Sequence, residues 1–181
     1  MTKHATVLWM DLEMTGLEPE TDRILEVAAI ATDWNFDEVA VLDAVIHQSE
    51  VALTGMDEWC KVHHGASGLT ERVRQSEVTE QDAEQALLAF LDDNFAKDAP
   101  VLLAGNSIHQ DRRFIRKYWP ELDARLHYRM LDVSAWKVVF EGKYRKKFAK
   151  PEDHRALEDI RGSIMELQYY LTKVRPSAKV V

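Results

Sequence analysis

The chain has 181 residues, 46% of them hydrophobic and 30% charged, with 7 Gly, 5 Pro and a single cysteine, Cys60. That size and balance suit one globular domain and exclude a collagen, a disulfide scaffold and a disordered chain. A formal net charge of −8 argues against a protein that tracks a long nucleic-acid backbone, which needs a basic face, although simple solubility accounts for the charge equally well.

Along the chain, residues 5–11 are apolar with β-branched members and predict a strand. Residues 23–33 predict a second and residues 38–47 a third. The link Trp34–Asp37 is short enough for a hairpin, so the second and third strands should be antiparallel. Polar loop and a short helix around Met56–His64 follow. Residues 79–95 place Ala83, Ala86, Leu87, Phe90 and Leu91 on one helical face. After Pro100 comes a short strand, Val101 to Ala104. Ser107 and Gln110 have the spacing of a capping box that opens a helix through Tyr118, which Pro120 ends. Residues 129–133 predict one more strand. Residues 154–174 predict a closing helix with Leu157, Ile160, Ile164, Leu167 and Leu171 along one stripe. The order argues for an α/β domain with a mixed central sheet flanked by helices, spanning 1–175, with 176–181 as a C-terminal tail. The first apolar run, Val7 to Met10, is too short for a signal-peptide core, and no stretch approaches a membrane span, so a cytoplasmic protein is expected.

Asp11 and Glu13 stand two residues apart at the end of the first strand, where i and i+2 project to the same side. Like charges that close repel unless a cation lies between them, and hard oxygen donors suit Mg²⁺ or Mn²⁺. A solvated strand end before the turn at Gly16 is the alternative. Asp111 falls in the first turn of its helix, where the dipole alone would favour it. His154 and Asp159 open the closing helix five residues apart, about 140° around its axis, and so do not share a face. Singly, each has an ordinary structural explanation.

Together they form an ordered set: Asp-Leu-Glu-Met-Thr-Gly after a strand, Gly-Asn-Ser-Ile-His-Gln-Asp across a strand-to-helix junction, and His154 four residues short of Asp159 at a helix start. This trio resembles the exonuclease motifs of the DEDDh family, which has a ribonuclease H-like fold. The resemblance implies that Asp11, Glu13, Asp111 and Asp159 hold two divalent metal ions and that His154 is the general base. Two metals can activate a water and relieve charge on the leaving oxygen, and an imidazole titrating at roughly 6.5 can take a proton near neutrality. The runs WMDLEMTGL, GNSIHQDRRFI and DIRGSIMELQYY, with DEW followed by HHGASGL and PELDARLHYR by LDVS, extend the likeness over most of the chain and make it similar to the oligoribonuclease branch.

That branch implies a 3′→5′ exoribonuclease that degrades RNA of two to a few nucleotides to mononucleotides. By the same resemblance Leu17 wedges between bases, Trp59 stacks on one, Arg129 and Ser134 cap a 5′ phosphate, and His64, Ser107 and Gln110 complete the pocket. It also implies a homodimer in which Tyr128 reaches the partner's site. Two positions depart from the pattern: Ala135 stands where the branch has Thr after Ser134, and Asp153 stands where a small residue precedes the histidine. A phosphate-binding Gly loop, a Gly-x-Ser-x-Gly elbow and a zinc ligand set are lacking. The competing readings are a DEDDh exonuclease acting on longer strands and a catalytically dead nucleotide-binding module. The acidic charge and the Leu17, Trp59 and Tyr128 set argue against the first, and the filling of all five active-site positions, Asp11, Glu13, Asp111, His154 and Asp159, against the second.

Overall fold

A computed structural model describes residues 5–149 and 156–174. Three strands open the chain: β1 (Val7–Met14), β2 (Ile24–Thr32) and β3 (Glu38–Val45). Asp33 turns the predicted hairpin, its Oδ1 accepting the amides of Asn35 at 2.8 Å and Asp37 at 3.1 Å. Short helices α1 (Glu50–Gly55), α2 (Glu58–Ala66) and α3 (Leu69–Gln75) follow, then α4 (Glu80–Asn94) and β4 (Val101–Gly105). The remainder is α5 (His109–Tyr118), α6 (Pro120–Arg125), β5 (Leu126–Asp132), α7 (Val133–Tyr144) and α8 (Ala156–Leu171).

The sheet order is β3-β2-β1-β4-β5, antiparallel among the first three strands and parallel from β1 through β4 to β5. The mixed sheet is therefore as predicted. Period-two alternation divides β1 between two cores. Leu8, Met10 and Leu12 face α4, α5 and α6, while Val7 and Trp9 face α7 and α8. Continuing the alternation puts Asp11 and Glu13 on the α8 side. Ile160, Ile164, Leu167 and Tyr170 bury α8 against that face, each contributing about 1.5–3 kcal/mol of burial. No helix of the described residues is long and apolar enough to cross a membrane.

Several local expectations need correcting. The proline at 120 begins a helix as well as ending one, because it occupies the first turn of α6, where its missing N–H costs nothing. Ala86 is exposed, and the buried α4 face instead includes Glu84, whose Oε1 accepts the amides of Glu121 at 2.9 Å and Leu122 at 3.2 Å. The acid thus caps α6 from a neighbouring helix. The Ser107–Gln110 capping box is not formed: α5 starts at His109 without a side-chain cap, and both side chains bond elsewhere. On α8, Tyr170 rather than the half-exposed Leu171 ends the buried stripe.

Candidate active site

Asp11 and Glu13 on β1 meet Asp159 on α8. One carboxylate oxygen from each lies within 4.8 Å of the other two. The sheet face explains the meeting, since α8 packs over the side to which odd-numbered residues of β1 point. Glycine at 105 permits the close crossing of β4 past β1 at this end, where a Cβ would lie 2.8 Å from the Met10 carbonyl oxygen. Asp111 arrives from α5 and is buried, its Oδ1 accepting the Leu12 amide at 2.9 Å. Burial, then the Asp11 charge, raises the Asp111 pKa well above the usual carboxylate range. Burial likewise pushes Glu13 up to about 7, helped by the charges of Glu26, Asp159 and Asp111. Asp11, Glu13, Asp111 and Asp159 together offer an all-oxygen donor set, and the repulsion felt by Glu13 and Asp111 is of the kind a hard divalent cation relieves. The residues present therefore fit such an ion. His154 lies outside the described residues, as does the departure at Asp153.

His64 is 4% exposed. Its Nε2–H donates to the Met14 carbonyl at 2.9 Å, which leaves Nδ1 turned toward Glu13, 3.9 Å from Oε2. Burial lowers its pKa, so the ring is neutral at physiological pH and presents a lone pair to the cleft.

Beside the acids runs a cleft of about 450 Å³ whose walls include Glu13, Gly16, Leu17, Trp59 and His64. Leu17 is 64% and Trp59 63% exposed, unusual for side chains that large unless something covers them. Trp59 sits in the first turn of α2, where His63 one turn on stacks against its indole at 3.8 Å between centroids. Leu17 hangs from a turn that needs glycine at 16, because a Cβ there would lie 2.5 Å from Asp22 Oδ2. Asp22 cannot swing away cheaply, since it holds Thr15 Oγ1 at 3.1 Å and the Glu18 amide at 2.8 Å. From the other side Gln110 Nε2 and Arg113 Nη1 both donate to the Leu17 carbonyl. Gln110 thus supports the wall through Leu17.

Ser107 adopts a left-handed backbone, φ 50°, and joins a second cluster. Its amide donates to Ser134 Oγ at 2.9 Å and Asp132 Oδ1 at 3.1 Å, while its hydroxyl lies 3.1 Å from that of Ser134. Asp132 also caps α7 through the Ser134 amide at 2.9 Å. Arg129 and Tyr128 stand on β5 at the sheet edge, with the guanidinium 4.8 Å from the ring centroid. Tyr128 is 70% exposed and lines neither cleft beside the acids. Three contributors escaped sequence reasoning. Asp132 had a signal in its capping spacing to Ser134, whereas Arg113 and Glu26 had none, because their roles depend on contacts distant in sequence.

A family model described as "Exonuclease" matches residues 8–167. The chain is 48% identical over 172 residues to an oligoribonuclease of Shewanella amazonensis, covering 93% of this chain and 94% of that protein. An oligoribonuclease of Ectopseudomonas mendocina is 48% identical over 168 residues, 91% of this chain and 93% of its own. Vibrio cholerae oligoribonuclease is 47% identical over 168 residues, 91% and 92% of the two chains. Among solved structures, the zinc-bound complex of E. coli ExoI with single-stranded DNA superposes with a TM-score of 0.73 at 15% identity, covering 94% of this chain and 41% of that one. Exonuclease I of Methylocaldum szegediense gives 0.70 at 16% identity, with 96% and 41% covered. This chain spans about two fifths of those exonuclease I chains, and the likeness bears out the ribonuclease H-like fold.

Proposed function

The chain belongs to the oligoribonuclease branch of the DEDDh exonuclease family and is a hydrolytic 3′→5′ exoribonuclease, and from that premise we propose that its substrates are 5′-phosphorylated RNAs of two to a few nucleotides, cleaved to mononucleotides in the cytoplasm. The observation that carries this reading is the junction of the acid cluster with a cleft walled by Leu17 and Trp59. Stacking on Trp59 binds any base, contributing about 1–3 kcal/mol, and a Leu17 wedge lets the cleft hold a base on either side.

Asp11, Glu13, Asp111 and Asp159 would hold two divalent ions, Mg²⁺ or Mn²⁺. Bound there, the ions supply Lewis-acid relief of charge at the scissile phosphate. The chain's own groups do the rest. His154 takes the proton of the attacking water as general base. Trp59 and Leu17 orient the terminal nucleotides. His64, Ser107 and Gln110 close the pocket, and Arg129 and Ser134 hold the 5′ phosphate. The Ser107–Ser134 contact supports that last assignment, since it presents two hydroxyls together at a strand-to-helix junction. Homodimerisation, with Tyr128 supplied to the partner's site, is supported by the exposure of that ring on an edge strand. Residues 1–175 act as one exonuclease domain, with 176–181 as a tail.

The test is turnover and binding of 5′-phosphorylated RNAs from two to seven nucleotides at two salt concentrations, with Ca²⁺ replacing the active metal for binding. Affinity should peak at two to a few nucleotides and weaken only modestly with salt, as for one to three phosphates. Affinity that climbs steadily with length on a steep salt slope would move the chain to the longer-strand exonucleases.

A further inference from the structure

On β2, Glu26 is the cross-strand partner of Glu13. It shares the sheet face that carries the acids, since Ala28 and Ile30, two and four residues on, pack beneath α8. It is buried and lines the cleft that also holds Glu13, His63, His64 and Asp159. A fifth carboxylate therefore sits beside a set of four. The four acids balance two divalent cations, whereas a fifth would add uncompensated charge and another oxygen donor.

Glu26 is paired with Arg72, which reaches from α3 and places Nη1 2.9 Å from Glu26 Oε1. Arg72 and Glu26 also line a neighbouring cleft with Asp43 and Glu158, and Glu26 is not among the carboxylates whose oxygens lie within 4.8 Å of one another. Tying α3 to the sheet does not require the pair, because Leu69 and Val73 already bury that helix against Leu25 and Leu53. With the Arg72 side chain 46% exposed, the ion pair itself contributes only about 0–1 kcal/mol to stability.

We propose that Arg72 is a positioning residue of the metal site: by holding Glu26 out of the acid cluster, it keeps the cluster at four carboxylates with Glu13 as the donor on this side of the sheet, and so sets the affinity for divalent cations. The inference rests on the two-metal reading above. Glu26 is also the strongest of the neighbouring charges acting on Glu13, ahead of Asp159 and Asp111, as its position across the strand requires.

The experiment is a calorimetric titration of Mn²⁺ into the full chain without substrate, paired with turnover of a dinucleotide at saturating Mn²⁺. Arg72→Gln should bind Mn²⁺ about 3- to 10-fold more tightly, the effect of one unneutralised charge several ångströms away at an effective dielectric between those of protein and water. Its turnover should fall about tenfold, because Glu26 competes as a ligand. Arg72→Lys should restore both, and so should the neutral pair Glu26→Gln/Arg72→Gln. Should Arg72→Gln fail to fold, Glu26→Gln serves instead. It leaves the Arg72 cation free beside the cluster and should weaken Mn²⁺ binding several-fold. Variants that shift Tm while leaving the Mn²⁺ isotherm and turnover unchanged would overturn the inference, as would an altered isotherm that persists in the double variant. Those outcomes leave the two-metal reading intact, whereas wild-type protein that binds no Mn²⁺ would overturn both.

Discussion

The acids do their work against the grain of folding. Glu13 is raised from 4.5 to about 7, so a proton leaves it in the unfolded chain at lower pH than in the folded one. The metal-free protein should therefore be most stable, as far as this residue goes, below about pH 4.5. It should lose that contribution as pH rises toward 7, by at most about 3 kcal/mol. Thermal melts in EDTA across this window should show the slope, and Glu13→Gln should reduce it, with the remainder carried by Asp111, whose pKa is raised in the same direction. A slope of the same size in the variant would assign the titration to another group. For His154→Asn, the expected result is metal binding retained with turnover down about 10²- to 10⁴-fold. Saturating metal keeps Glu13 ionised, so any remaining acid limb near pH 6.5 belongs to the histidine. An unchanged limb in the variant would place the base elsewhere. That Asp11 and Glu13 project to one side of β1 was legible in the sequence, because period-two alternation needs no tertiary information, although their role, too, was signalled only by the ordered motif set. Asp111 and Asp159 were not legible singly, since a first-turn aspartate has a sufficient local reason to be there, and only the ordered motif set singled them out.

Local patterning identified each strand of the described residues and both long helices that cover the sheet, yet it missed the short α1 and α3 and also α6 and α7. Of the last two, each has its own reason. The first is short, and the acid that caps it, Glu84, comes from another helix. The second exposes Val138 and Val139 and buries only Val133 and Phe140, so it carries no continuous apolar stripe. The failure of the Ser107–Gln110 capping box has a functional counterpart. Both side chains are withdrawn from the helix end, one to Ser134 and the other to the turn that carries Leu17. Gln110→Ala should therefore loosen the Leu17 wall while α5 stays folded. The expected signature is KM raised about 3- to 10-fold with kcat within about twofold, the loss of roughly one hydrogen bond's worth of binding. Steady-state kinetics on a dinucleotide would check it, and a collapse of kcat at unchanged KM would show that Gln110 acts on the chemistry instead.

At the scale of the whole molecule, β5 is an edge strand of the sheet among the described residues, with Tyr128 and Arg129 standing exposed on it. Open edges invite pairing or association. Sedimentation at working concentration should give a dimer of about 42 kDa, twice the 20.9 kDa chain. Tyr128→Ala should lower turnover even if the dimer survives, and a fully active monomer would end the shared-site reading. The fold class was open to sequence reasoning because strand order and helix alternation are local records. The strand register that sets Glu26 opposite Glu13 was not, because a register is decided between segments. The same division between segments governs timing. The proposed donors come from β1, α5 and α8, and synthesis proceeds from the N-terminus, with early segments free to fold first. A nascent chain can assemble its sheet and three of its acids and still lack the donor that α8 supplies. On the four-acid reading proposed above, nuclease activity waits in the growing polypeptide until α8 docks and adds Asp159.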